Sequence, residues 1–120
     1  GAKEVTFIEN YKSVLSVLKK NLDNFKNMKN FKILEKDIYN ENVFYNLNDK
    51  FDIIFLDPPF KEKKISKIFN YIQKSEILNN DGVIILHRHK NEKEIFSNKF
   101  EKIEEKTYGL SKIMFFINLN

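Results

Sequence analysis

The chain has 120 residues, 42% of them hydrophobic and 32% charged, which allows a real core and suits one domain spanning residues 1–120 rather than two. A formal charge of +4, nearly all of it from lysine since Arg88 is the only arginine, suits a polyanionic partner and phosphate attraction more than bidentate base reading. The absence of cysteine excludes disulfides and cysteine-ligated metals, no apolar run approaches the roughly 20 residues of a membrane span, and no secretory-type leader is visible, so a cytoplasmic setting is expected.

Short apolar runs alternate with amphipathic stretches, and no repeat or linker divides them. Val5-Thr6-Phe7-Ile8 predicts a buried strand ending at Glu9. Tyr11 to Phe25 predicts a helix with Val14, Leu15, Val17, Leu18 and Leu22 on its apolar face. Phe31 to Glu35 reads as a second strand, followed by Asp37, then helix or loop through Tyr45. Phe51 to Leu56 is nearly continuous in apolar residues, as expected for a strand covered on both faces, and stops at Asp57-Pro58-Pro59. Ile65 to Ile77 has helical spacing, Asn79-Asn80-Asp81-Gly82 predicts a turn, and Val83 to His87 predicts another buried strand. Phe100 to Glu105 and Ile113 to Ile117, separated by Gly109, predict a closing antiparallel pair. The alternation predicts an α/β domain with a mainly parallel sheet, whose ligands bind beyond the carboxyl ends of the strands. Glu9, Asp37 and Asp57 all fall at such ends.

Asp57-Pro58-Pro59-Phe60 is the sharpest chemical signal. Two prolines after a buried strand lock two φ angles and restrict the residues before them. A stiff loop offering a carboxylate, a carbonyl and an aromatic ring suits an exocyclic amine. The Asp57 carboxylate and the Pro58 carbonyl can each accept one N–H, while Phe60 stacks on the base. Holding both N–H groups out of the ring plane localises the nitrogen lone pair toward a methyl donor, so positioning and electrostatics carry the acceleration. The competing reading is a plain strand-ending turn.

Glu9, with Asn10 beside it, can accept from ribose hydroxyls, or it can be a solvated acid opening a helix. Asp37 can accept from an adenine amine while Ile38 packs on the ring, or it can serve as a turn aspartate. Lys61, Lys63, Lys64, Arg88, Lys90 and Lys112 can flank the site and touch phosphates, or can be solubilising charges. His87 and His89 have strand spacing for one face, but no further histidine or cysteine exists to complete a metal site, so none is expected.

With these residues in place, the sequence resembles the bacterial enzymes that methylate guanine N2 in 16S ribosomal RNA, within the amino-methyltransferases bearing an (Asp/Asn/Ser)-Pro-Pro-(Tyr/Phe) loop. Gly1 to Glu9 resembles that family's second strand and its ribose-binding acid. Asp37 falls at its adenine-contacting position, Phe51 to Phe60 at its catalytic strand and loop, and Tyr108-Gly109 with Ser111-Lys112 at its closing hairpin. The resemblance implies a Rossmann-like class I methyltransferase fold with a C-terminal antiparallel hairpin. It implies S-adenosylmethionine as cofactor and ribosomal RNA or the small ribosomal subunit as partner. The family's glycine-rich loop has no counterpart among Gly1, Gly82 and Gly109. The first βα unit is therefore expected to be missing, leaving a gap in the sheet, weak binding of S-adenosylmethionine by this chain alone, and a monomer or a partner-completed dimer. The rivals are a DNA adenine-N6 or cytosine-N4 enzyme, a protein-amide methyltransferase, and a non-catalytic RNA-binding remnant.

Overall fold

The computed structural model describes residues 2–24, 30–59 and 61–119. The chain divides into two compact units, Gly1–Val43 and Phe44–Asn120, with the boundary inside the one-turn helix α2 (Asn42–Tyr45).

The first unit is a βαβ element: β1 (Val5–Glu9), α1 (Lys12–Asp23) and β2 (Phe31–Glu35). The strands pair in parallel from Val5 opposite Phe31 to Glu9 opposite Glu35, and Phe7 and Phe31 meet edge to face at 6.5 Å. Helix α1 starts at Lys12, and Leu15 is its one buried residue. Val14 and Val17, expected on the apolar face, are 47% and 58% exposed, because the face of α1 that is covered centres on Leu15. Phe25 lies outside the described residues.

The second unit contains β3 (Phe51–Leu56), α3 (Ile65–Ser75), β4 (Leu78–His89), β5 (Phe100–Tyr108) and β6 (Ser111–Asn118). Its sheet has the order β3-β4-β6-β5. β3 and β4 are parallel; β6 runs antiparallel to both β4 and β5. The expected α/β class and closing hairpin are therefore present, but this sheet is mixed rather than mainly parallel, because β6 inserts antiparallel between β4 and β5. Gly109 turns that hairpin at φ 56°, a left-handed conformation that costs glycine little.

The core lies on one face of this sheet. Ile65, Ile68, Phe69 and Ile72 recur at helical spacing along α3 and are all buried, as are Ile84 and Leu86 of β4 and Met114 and Phe116 of β6. Phe69 is the hub, with ring centres 4.8 Å from Phe96, 5.6 Å from Phe100 and 4.9 Å from Phe116. Helix α3 stops where Glu76 turns left-handed at φ 56°.

Two expectations are corrected. β3 is not covered on both faces: Ile53 and Phe55 are 62% and 59% exposed, because side chains alternate along a strand and the α3 core takes only the opposite face. Asn79 to Gly82 is not a turn between elements but an irregular stretch within β4, which begins at Leu78. Phe51 pairs with Leu78 and Ile53 with Val83, so the extra residues bulge out of the ladder. A Cβ on Gly82 would lie 2.6 Å from Leu78 Cδ1 and 2.9 Å from the Asn79 carbonyl, which explains the glycine.

Candidate active site

β3 carries the chain straight into Asp57-Pro58-Pro59. The ladder beside it pairs Phe55 with Ile85 and Leu56 with Leu86. One step further, Asp57 stands beside His87 on the face that also holds Phe55 and Ile85. Their side chains meet there: His87 Nδ1 lies 2.9 Å from Asp57 Oδ1. The pair is partly solvated, with side chains 27% and 56% exposed for His87 and Asp57. The parallel register thus explains a contact between residues far apart in sequence, in which an imidazole N–H can hold one carboxylate oxygen and leave the other for a substrate. Phe60 lies outside the described residues.

The next residue of β4 points to the opposite face. Arg88 was expected to touch phosphates; instead its side chain is 0% exposed. Its position follows from alternation, because Ile84, Leu86 and Arg88 share the face turned toward the core. All three guanidinium nitrogens have acceptors. Nη1 donates to the Pro59 carbonyl at 3.0 Å and Nη2 to the Glu62 carbonyl at 2.5 Å. Nε donates to Glu94 Oε1 at 2.8 Å. Glu92 adds a second carboxylate, 3.8 Å from Nη2. A buried cation is tolerable only with such compensation.

Pro59 also accepts the Glu62 N–H at 2.9 Å, and Glu62 Oε1 in turn accepts the Lys64 N–H at 2.9 Å where α3 begins. The loop is thereby tied at its strand end, at its turn and at its helix end.

The other predicted phosphate ligands divide. Lys61 and Lys64 are exposed beside the loop, and Lys90 is exposed beyond the end of β4. Lys63 is exposed but paired, its Nζ 3.1 Å from Glu92 Oε1. That hydrogen bond is the main cause holding the Glu92 carboxyl below its ordinary value; partial burial works against it, and the charges of Lys63, Arg88 and His89 add to it. Lys112, opposite Arg88 in the β4–β6 ladder, is not turned outward: its ammonium donates to the Glu92 carbonyl in a half-buried setting. Sequence reasoning missed Glu92 and Glu94 altogether. It considered His87 only as a metal ligand, although its in-register place beside Asp57 was the usable signal. Among the described residues, no group of three His, Cys, Asp or Glu side chains could hold a metal ion.

In the first unit, Glu9 and Asp37 lie at the carboxyl ends of neighbouring parallel strands, and the Lys36 N–H donates to the Glu9 carbonyl at 3.2 Å. Glu9 Oε1 accepts the N–H groups of Asn10 at 3.0 Å and Tyr11 at 3.1 Å, which holds the carboxylate against the bend that leads into α1. Asp37 Oδ1 accepts the Tyr39 N–H at 2.9 Å, making a turn in which Ile38 is half-buried. Both carboxylates are thus held by backbone donors, the local roles that the alternative readings describe. No helix among the described residues is long and apolar enough to cross a membrane.

The chain is 28% identical over 114 residues to the ribosomal RNA small subunit methyltransferase D of Haemophilus influenzae, covering 91% of this chain and 57% of that protein. It is 31% identical over 72 residues to an uncharacterized methylase of Rickettsia prowazekii, covering 59% of this chain and 30% of that protein. The chain therefore spans less than two thirds of the length of either relative. Its fold superposes on the crystal structure of a Haemophilus influenzae protein described as a methylase with a TM-score of 0.81, at 27% identity, over 99% of this chain and 74% of the other. The architecture is the Rossmann-like class I methyltransferase fold. Residues 1–117 match the family described as Conserved hypothetical protein 95, and the chain belongs to that family.

Proposed function

We propose that this chain is the catalytic part of an S-adenosylmethionine-dependent methyltransferase acting on an exocyclic amine of an RNA base, with guanine N2 of 16S ribosomal RNA as the target. The observation that carries the reading is Asp57 at the carboxyl end of β3, one carboxylate oxygen held 2.9 Å from His87 in a loop that two prolines stiffen. The relative that methylates small-subunit RNA by its name supports the choice of substrate.

The residues present fit part of the cofactor. Glu9 and Asp37 are carboxylates whose Oε1 and Oδ1 already accept backbone N–H groups, so each is oriented and acceptor-only, as ribose hydroxyls and an adenine amine require. Asn10 and Ile38 flank them. Gly82 belongs to the β4 bulge and Gly109 to the hairpin, so neither belongs to a cofactor loop. When bound, S-adenosylmethionine supplies an electrophilic methyl group.

The second unit's residues act on the base. Asp57, its carboxylate steadied by His87, accepts one amine N–H, and the Pro58 carbonyl accepts the other. Pro59 keeps the loop from adjusting, and Phe60 stacks on the ring. The base must leave its stack to reach such a loop. Lys61, Lys63 and Lys64 draw the RNA backbone toward it.

The test is label transfer from S-adenosylmethionine by the protein purified at its native length, offered small ribosomal subunits, free ribosomal RNA and DNA. Label in guanine N2 of the RNA is expected. Label in DNA adenine or cytosine, in protein, or in nothing overturns the reading.

A further inference from the structure

We propose that Arg88 is a positioning residue for the Asp57-Pro58-Pro59 segment, a proposal that rests on the methyltransferase reading above. The residue is the one buried charged side chain of the described core, and its hydrogen bonds run to loops rather than along the sheet. Replacing a buried ion pair by apolar residues of similar volume is often neutral or stabilising. A side chain needed only to fill the space under β4 would therefore do as well as a leucine or methionine. Arg88 does something an apolar residue cannot: it holds the carbonyls of Pro59 and Glu62, two points on a loop that lies beyond the strand ladder.

Arginine suits this task for a geometric reason. Its guanidinium is planar, and its donors leave in fixed directions. Here one nitrogen is directed to Glu94, one to Pro59 and one to Glu62, so the plane cannot rotate without breaking a bond. The fork converts the fixed position of β4 into a fixed path for the loop. His87 and Arg88 are consecutive and point to opposite faces. β4 therefore grips the loop twice, the carboxylate of Asp57 on one face and the backbone of Pro59 and Glu62 on the other.

The grip also joins the loop to the segment after β4. Glu94 and Glu92 neutralise Arg88, Glu92 pairs with Lys63, and Lys112 holds the Glu92 carbonyl. Since the hydrogen bonds of Arg88 run to the backbone of the loop proposed to receive the base, its loss is expected to act on turnover and to leave cofactor affinity in place.

The Glu62 amide is a direct reporter, because it donates to the same Pro59 carbonyl that Arg88 holds. The experiment uses the protein at its native length with Arg88→Lys and Glu94→Gln. It compares amide hydrogen exchange at Glu62, S-adenosylmethionine affinity by calorimetry, and kcat and KM on small ribosomal subunits. Exchange at Glu62 is expected to rise tenfold or more in Arg88→Lys and less in Glu94→Gln. kcat should fall on the order of 100-fold in the lysine variant, as a misplacement of about 1 Å can cause, with cofactor affinity within twofold. Unchanged exchange in both variants overturns the grip, and faster exchange with unchanged kcat overturns its role in positioning. A wild-type protein that methylates nothing instead overturns the methyltransferase reading, and the two failures are told apart by the exchange data. Should Arg88→Lys not fold, unchanged exchange and kcat in Glu94→Gln overturn the proposal on their own.

Discussion

Asp57 offers the sharpest separation of function from stability. In the resting protein its carboxylate is 56% exposed and its His87 partner 27% exposed, so water screens the pair. Exposed pairs of this kind contribute about 0–1 kcal/mol. Asp57→Ala is therefore expected to lower stability by no more than about 1 kcal/mol, and the melting temperature by about 4 °C or less. In the reaction the same carboxylate would hold an amine N–H in a desolvated site, and a hydrogen bond to a charged group is worth about 1.5–3 kcal/mol. Losing it in the transition state lowers kcat by roughly 10- to 150-fold. Asp57→Asn keeps one carbonyl oxygen and the shape of the side chain, so its loss of activity is expected to be smaller. The assay is initial-rate label transfer to small ribosomal subunits beside thermal melts of all three proteins. Activity of Asp57→Ala within threefold of wild type would refute the reasoning. So would a fall in activity matched by a melting temperature lowered by more than about 10 °C, since the loss would then be one of fold.

Phe69→Ala removes a fully buried ring that touches Phe96, Phe100 and Phe116, and is expected to cost about 4–5 kcal/mol in urea unfolding; a loss under about 2 kcal/mol would show that the neighbouring rings collapse into the space. The Glu92 carboxyl titrates below its ordinary 4.5 chiefly through the hydrogen bond from Lys63. A depressed carboxylate pKa means that the stability contributed is complete above 4.5 and is lost as pH falls through the lower, folded-state value. Lys63→Ala should raise the Glu92 midpoint toward 4.5, read from its side-chain carboxyl signal by NMR, and an unmoved midpoint would assign the depression elsewhere. Lys61→Ala and Lys64→Ala should each weaken RNA binding and reduce the slope of log affinity against log salt by about 1, with no change in sequence preference. An unchanged slope would leave both as solvated surface charges.

Much of the fold was legible because the physics is local. The apolar run from Phe51 to Leu56 and the two prolines after it define a strand and its stop without any tertiary information. Glu9, Asp37 and Asp57 could be placed at strand ends for the same reason. What escaped depended on alternation and register across distant segments. Arg88 resembles a surface cation when read alone; only its phase with Ile84 and Leu86 turns it inward. The His87 contact with Asp57 follows from which residues of β3 and β4 stand opposite one another, and the bulge over Asn79 to Gly82 shifts that register. The same four residues have the composition of a turn, and the pull of the β3 edge on Leu78 keeps them in the strand. Val14 and Val17 show the converse: helical spacing predicts a face, but what covers that face is set elsewhere.

The order of the second sheet has a consequence for how it is assembled. β6 lies between β4 and β5, yet it follows both in the chain. While the polypeptide is being made, β5 therefore emerges with no partner beside it, and β4 waits with one edge open. Neither is completed until Ser111 to Asn118 has left the ribosome and slipped between them. The hydrogen bonds that close the sheet form together, only once β6 is available, so folding of this unit is not a strand-by-strand accretion. A cut in the short turn at Gly109 would sever the insert from β5 in sequence while leaving it wedged in place, so a nicked protein is expected to keep its shape but not to regain it once unfolded.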